Sequence, residues 1–272
     1  MRFSTHERVD VDKSAKTTRR SNEALFEAVE AGTEPTERSL SLLLVGGNDH
    51  RSAILRESQA LVRFDQRPSY WSHVGVIARW DASWQEAVGL EVSLDPEDLQ
   101  AQVPERNGVT LFSLRRYANA TRYPNVCVAT FTPRAGVQGF ATDQKALEEA
   151  IRHPNYDRDR YPLWKLLGVW HAHLHQPERS QPLVDGVPMP SAAFAQSVFA
   201  AGGVDLFAAA TSPNACPEHI WATLLYWSSQ LDVQVKLWQS TRATQVTRPE
   251  PLDGDFLKEL GATPDTGATT EP

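Results

Sequence analysis

The sequence predicts an α+β fold, and three observations carry that expectation. The stretch "HVGVIARW" alternates, with Val74, Val76 and Ala78 on one face and His73, Gly75 and Ile77 on the other, the period of a strand. The apolar run "SLSLLLVGG", Ser39 to Gly47, is too short for a membrane span of roughly 18 residues and reads as a buried strand. Toward the C-terminal half the period changes: Ile220, Trp221, Leu224, Leu225 and Trp227 form a helical stripe. Helices segregated from antiparallel strands define the α+β class.

Taken in order, residues 1–38 are polar, charged and turn-rich and are expected to form a flexible arm. Within it "SNEALFEAVEAG" suggests one short helix, capped by Ser21 or Asn22 and stopped at Gly32. Residues 39–248 form the body, expected to be one domain. After the first strand, "HVGVIARW" and "WQEAVGLEVSL" read as an antiparallel hairpin about a turn at Asp81 to Ser83. Asn125 to Pro133 is a further strand. "TDQKALEEAIRH" follows as a helix with Thr142 or Asp143 as cap, and "PLWKLLGVWHAHL" as helix after Tyr161. Another helix starts near Ser191 and stops at Gly202. Residues 249–272, rich in Pro, Gly, Thr and acids, are expected to be a disordered acidic tail.

Composition narrows the function. A chain of 272 residues, 41% hydrophobic with eight tryptophans, can bury a sizeable core. A net charge of −7 argues against a general nucleic-acid binder, which carries a basic excess. No run is apolar enough for a transmembrane segment. The N-terminus lacks the apolar region of a secretory signal, so a cytoplasmic setting is expected, with signal-independent export left open. The two cysteines, Cys127 and Cys216, exclude a disulfide framework and a four-cysteine zinc site. Cys127, inside "NVCVATF", reads as packing.

Cys216 stands differently. In "NACPEHIW", Pro217 suits the first position of a helix, where its missing N–H leaves no gap. Cys216 therefore falls at a helix N-terminus, where the N–H groups and the positive end of the macrodipole favour an anion. A thiolate is such an anion and is the nucleophilic form of cysteine. The same N–H groups are placed to hold the oxyanion of a tetrahedral intermediate.

Four pieces then occur in order: Ser72-His73-Val74-Gly75, Glu86-Ala87-Val88-Gly89, Tyr156-Asp157 and Cys216-Pro217-Glu218. Together they resemble the circularly permuted papain-like hydrolases, relatives of the NlpC-type peptidases and the lecithin–retinol acyltransferases. The resemblance implies a small antiparallel sheet packed against a cysteine-bearing helix, with an insertion at about residues 160–210. It implies Cys216 as nucleophile, His73 as general base and Glu86 orienting the imidazole. Its chemistry is hydrolysis or acyl transfer at an amide or ester through a thioester, on a peptide-like or lipid acyl substrate, with no metal or cofactor. A turn of three residues at Asp81 to Ser83 would set Glu91, not Glu86, opposite His73, so Glu91 is the substitute for the third role.

Two other readings stand beside it. A catalytically inactive binding module on the same fold fits Pro217, which replaces the family's serine, and the long insertion. A zinc hydrolase would use His171, His173 and His175 of "WHAHLH", although Ser180 and Asp185 miss the spacing of the deubiquitinase-type zinc peptidases.

Overall fold

The computed structural model describes residues 21–38, 40–92, 109–132, 149, 189–206, 215–229 and 234–241. The fold is α+β, built on a six-stranded antiparallel sheet. Its strands are β1 (Ser41–Gly46), β2 (His73–Arg79), β3 (Val88–Val92), β4 (Val109–Ser113), β5 (Asn125–Thr132) and β6 (Gln234–Thr241). Their spatial order is β4-β3-β2-β1-β5-β6. The run "SLLLVG" is the inner strand β1, buried at every position, which is why it is apolar throughout and does not alternate.

Period-two alternation divides the side chains between two cores. Leu42, Leu44, Val74, Val76 and Cys127 face the first. It is covered by α3 (His50–Ser58), α4 (Pro190–Ala201) and α5 (Pro217–Ser228). Leu43, Val45, Ile77 and Val128 face the second, which is closed by α1 (Glu23–Gly32) and by two 3₁₀ turns, Trp84–Glu86 and Leu114–Ala118. A short helix, α2 (Pro35–Arg38), follows α1.

The helix starts follow the local chemistry. Asp49 caps α3 by accepting from the Ser52 N–H, and Pro190 and Pro217 open α4 and α5. Ser191 and Gly202 fall within a residue of the α4 boundaries expected from sequence.

Part of the arm expected at residues 1–38 belongs to the fold. Leu25, Phe26 and Val29 of α1 are buried, Phe26 between Trp80 and Trp84. Each such side chain contributes about 1.5–3 kcal/mol of hydrophobic stabilisation. Asn22 fixes the entry to α1 by donating to the Tyr117 and Tyr123 carbonyls, both at 2.9 Å. The helix itself was expected; its polar surroundings hid that the apolar side packs into the fold. Residues 1–20, the helices expected at Thr142 to His153 and after Tyr161, most of the 160–210 insertion and the acidic tail lie outside the described residues.

Candidate functional site

The hairpin departs from the sequence expectation at its turn, and the site depends on that departure. Trp84–Glu86 is a 3₁₀ turn, capped by Ser83, and β3 begins only at Val88. A bulge at Ala78 shifts the pairing from Ile77↔Gly89 to Arg79↔Val88. The register then sets Glu91 opposite Gly75. Glu91 and His73 are diagonal neighbours on one sheet face, within reach of long side chains. Glu86 sits in the turn, exposed to solvent. The expectation that Glu86 orients His73 is thus corrected: the partner is Glu91, whose carboxylate Oε2 lies 2.8 Å from His73 Nε2.

Beside this pair, two glycines make room for Phe112. A Cβ on Gly75 would approach the Phe112 ring to 2.7 Å, and one on Gly89 to 2.2 Å. The glycines of "SHVG" and "EAVG" together form a slot for one aromatic ring on the same face as His73.

Glu91 is fully buried and fully engaged. Arg116 Nη1 donates to Oε1 at 2.8 Å, and the Tyr117 hydroxyl donates to Oε2. Burial pushes the carboxyl's pKa up, but His73, Arg116 and Tyr117 outweigh it and hold the group below the usual carboxylate range. Burial and the neighbouring Glu91 charge push the Tyr117 phenol up, so it remains a donor. An ionised carboxylate only accepts, so His73 places its proton on Nε2 and keeps Nδ1 as the basic ring atom.

His73 lines a cleft of about 50 Å³, together with Asp49, Arg51 and Ser52 from the start of α3 and with Tyr117 and Tyr123. Ser72 ties the rim, its hydroxyl accepting from the Gly47 N–H at 3.2 Å. In physical terms the cleft offers an oriented imidazole, hydroxyl groups and two guanidinium groups, from Arg51 and Arg116, on a mostly fixed frame.

Cys216 is elsewhere. It belongs to the first core, with Val74 and Val76, whereas His73 points to the face of Val45 and Ile77. The expected Cys216–His73 pair is therefore not formed, because alternation along β2 sends the histidine to the far side of the sheet. Cys216 does cap α5, but burial pushes its thiol up to about 12, overriding the downward pull of the His219 and Glu218 N–H groups. Trp71, next to "SH", is also sealed in the first core, 5.1 Å from Trp221 between ring centroids.

Glu218 holds α5 in place. It accepts from Arg63 Nη1 at 2.9 Å and from the Ser69 hydroxyl at 2.6 Å, while its own N–H donates to Gln59 Oε1 at 2.8 Å. His171, His173 and His175, and Tyr156-Asp157, lie outside the described residues. Among the described residues no group of three or more His, Cys, Asp or Glu could hold a metal ion, and no helix is long and apolar enough to cross a membrane.

Sequence reasoning did not find Arg116, Tyr117, Tyr123 or the Asp49–Ser52 cap. The cap had a readable signal, since an Asp shortly after the apolar run that ends in "VGG" is a candidate helix N-cap. "RRY" had none, because only the 3₁₀ turn brings it back over β3. Comparison of the chain with family models, with curated proteins and with solved structures gives no match.

Proposed function

We propose that this chain is an acid–base enzyme, a hydrolase or transferase in which His73 Nδ1 takes a proton from a nucleophile in the cleft. Glu91 orients the ring and stabilises the imidazolium that forms; Arg116 and Tyr117 are positioning residues acting through Glu91. The nucleophile is a water or a hydroxyl in the cleft, and an ester or amide remains the substrate class to test first. One observation carries this reading: a fully buried, ionised carboxylate hydrogen-bonded at 2.8 Å to a histidine that lines an open cleft. A purely structural ion pair has no need of a cleft at its histidine.

The thioester route through Cys216 and the permuted papain-like architecture are supported by the order of the four motifs. Against them stand the opposite sheet faces of Cys216 and His73 and the covered thiol, so Cys216 is assigned to packing.

The test is turnover of a panel of p-nitrophenyl esters and anilides by wild type, His73→Gln, Glu91→Gln and Cys216→Ala, each checked for folding by circular dichroism. Expected is a loss of about 10²–10⁴-fold in His73→Gln, the scale of a missing general base, and little change in Cys216→Ala. Abolition in Cys216→Ala would restore the thioester route. Turnover indifferent to His73→Gln would overturn the reading, and no turnover with any substrate would favour the binding-module alternative. In parallel, long-range ¹H–¹⁵N NMR on labelled histidine should find the neutral ring of His73 with its proton on Nε2.

A further inference from the structure

We infer that the inner end of the cleft receives the alkyl part of a short acyl group, acetyl in size, and that Val45 and Leu55 set this limit. The inference rests on the catalytic reading for its reaction, but it concerns which group enters and has a readout that needs no turnover.

The strand register places the apolar wall beside the imidazole. Val45 of β1 is the direct cross-strand partner of His73 on the same sheet face. Such partners stand about 4.5–5.5 Å apart between Cβ atoms. Leu55 reaches the same cleft from α3. An acyl group whose carbonyl carbon stands near His73 therefore lays its alkyl end against Val45 and Leu55.

The lining divides by exposure. His73, Asp49 and Arg51 keep part of their surface in solvent and mark the mouth, whereas Val45, Leu55, Ser72 and Tyr117 are buried and form the inner end. The polar groups at the inner end are engaged within the fold. The Ser72 hydroxyl accepts from the Gly47 N–H at 3.2 Å and donates to the Val45 carbonyl at 3.3 Å. The Tyr117 hydroxyl donates to Glu91, and its ring packs on that of Tyr123, 4.8 Å between centroids. A polar guest would lose its water there without gaining these groups as partners, whereas an alkyl group gains from leaving water.

Size supplies the limit. The cleft holds about 50 Å³. A cavity of roughly 150 Å³ is what encloses a benzene ring, and one water takes a share of about 30 Å³ in the liquid. The space thus suits a methyl or ethyl group and refuses a ring or a long chain. The wall at Gly47 has no slack either, since a Cβ there would stand 2.2 Å from Ser52 Oγ.

The experiment titrates acetamide, butyramide and hexanamide into the full chain and follows the ¹³C-methyl shifts of Val45 and Leu55. The p-nitrophenyl acetate, butyrate and hexanoate esters are assayed in parallel. Expected is saturable binding of acetamide and none of hexanamide, with kcat/KM falling about tenfold or more from acetate to hexanoate, the scale on which a pocket refuses added methylenes. Leu55→Ala should admit hexanamide and narrow the ester preference. Val45→Leu, which fills the cleft from the strand side, should weaken acetamide binding about tenfold and keeps the test alive if Leu55→Ala fails to fold. Hexanamide binding as well as acetamide, no saturation by any amide, or an unchanged preference in folded Leu55→Ala would overturn the inference. Size-selective binding without turnover leaves this inference standing while the catalytic reading falls. Turnover lost in His73→Gln but equal for all three esters does the reverse.

Discussion

Two buried glutamates, one on each face of the sheet, sit beside the two residues that drew attention in the sequence, and they behave in opposite ways. Glu91 lies under His73 and is held below the ordinary carboxylate range. Glu218 follows Cys216 and is pushed above it. Burial raises both, so burial alone does not decide the sign. Glu91 gains three side-chain donors, two of them able to carry positive charge. Glu218 gains one charged donor, which Arg63 shares with Asp65, and one hydroxyl from Ser69. The number and charge of the donors determine whether a buried carboxyl stays ionised. On one face the result is a fixed anion that can polarise an imidazole. On the other it is a clamp that holds a helix start.

The comparison breaks most visibly on truncation. Glu91→Ala leaves Arg116 half-buried without its anion and should lower stability by about 3–5 kcal/mol, the scale for breaking a buried ion pair. Glu218→Ala loses two hydrogen bonds, but its arginine keeps Asp65 as a partner, so stability should fall by about 1–3 kcal/mol. Urea denaturation at pH 7 measures both. A larger loss at Glu218 would reverse the assignment of which carboxylate is the better stabilised.

The pH dependence sharpens the same contrast, with smaller differences. Because the folded pKa of Glu91 is depressed, its stabilisation is complete above the unfolded value of about 4.3 and disappears as pH falls through the folded value. Glu91→Gln should therefore be less stable than wild type at pH 7, with the gap closing in acid. The folded pKa of Glu218 is raised, so its contribution is present below about 4.3 and is lost as pH rises through the folded value. Glu218→Gln should match or exceed wild-type stability at pH 8, with that gap also closing in acid. Gaps of the same sign at neutral pH would refute the distinction.

The features legible in the sequence were those fixed by local rules. Alternation located β2, and the Pro and Gly signals placed both ends of α4 and the start of α5 within a residue or so of those observed. Gly75 and Gly89 were visible as motif positions, although their use, a shared slot for Phe112, depends on pairing between strands. His73 was found, and Glu91 was weighed as its partner from turn geometry. The site went wrong where long-range placement decides. Nothing local in "NACPEHIW" indicates on which side of β2 its helix will pack, and that one choice separates Cys216 from His73. β4 and β6 escaped notice because their partly exposed positions, such as Leu111 and Lys236, blur the alternation. Helix α3 escaped because "HRSAILRES" has too few apolar residues to form a stripe.

The smallest expected effect is the most direct test of the two faces. A thiol with its pKa pushed to about 12 is thiolate to roughly one part in ten thousand at pH 8, and Cys216 is also fully covered. Cys127, buried among the strands, is pushed up as well. Iodoacetamide should therefore leave both unmodified in the native protein, and label should enter each at the same rate, set by unfolding. The His73→Ala variant should not change the Cys216 rate at fixed stability, because the sheet lies between the two side chains. Faster labelling of Cys216 than of Cys127 at neutral pH, lost in His73→Ala, would mean that the cysteine reaches the histidine in solution. The chemistry would then belong to the thiol and the His73–Glu91 pair would be its activator, so this null result separates a water or hydroxyl nucleophile in the cleft from a thioester.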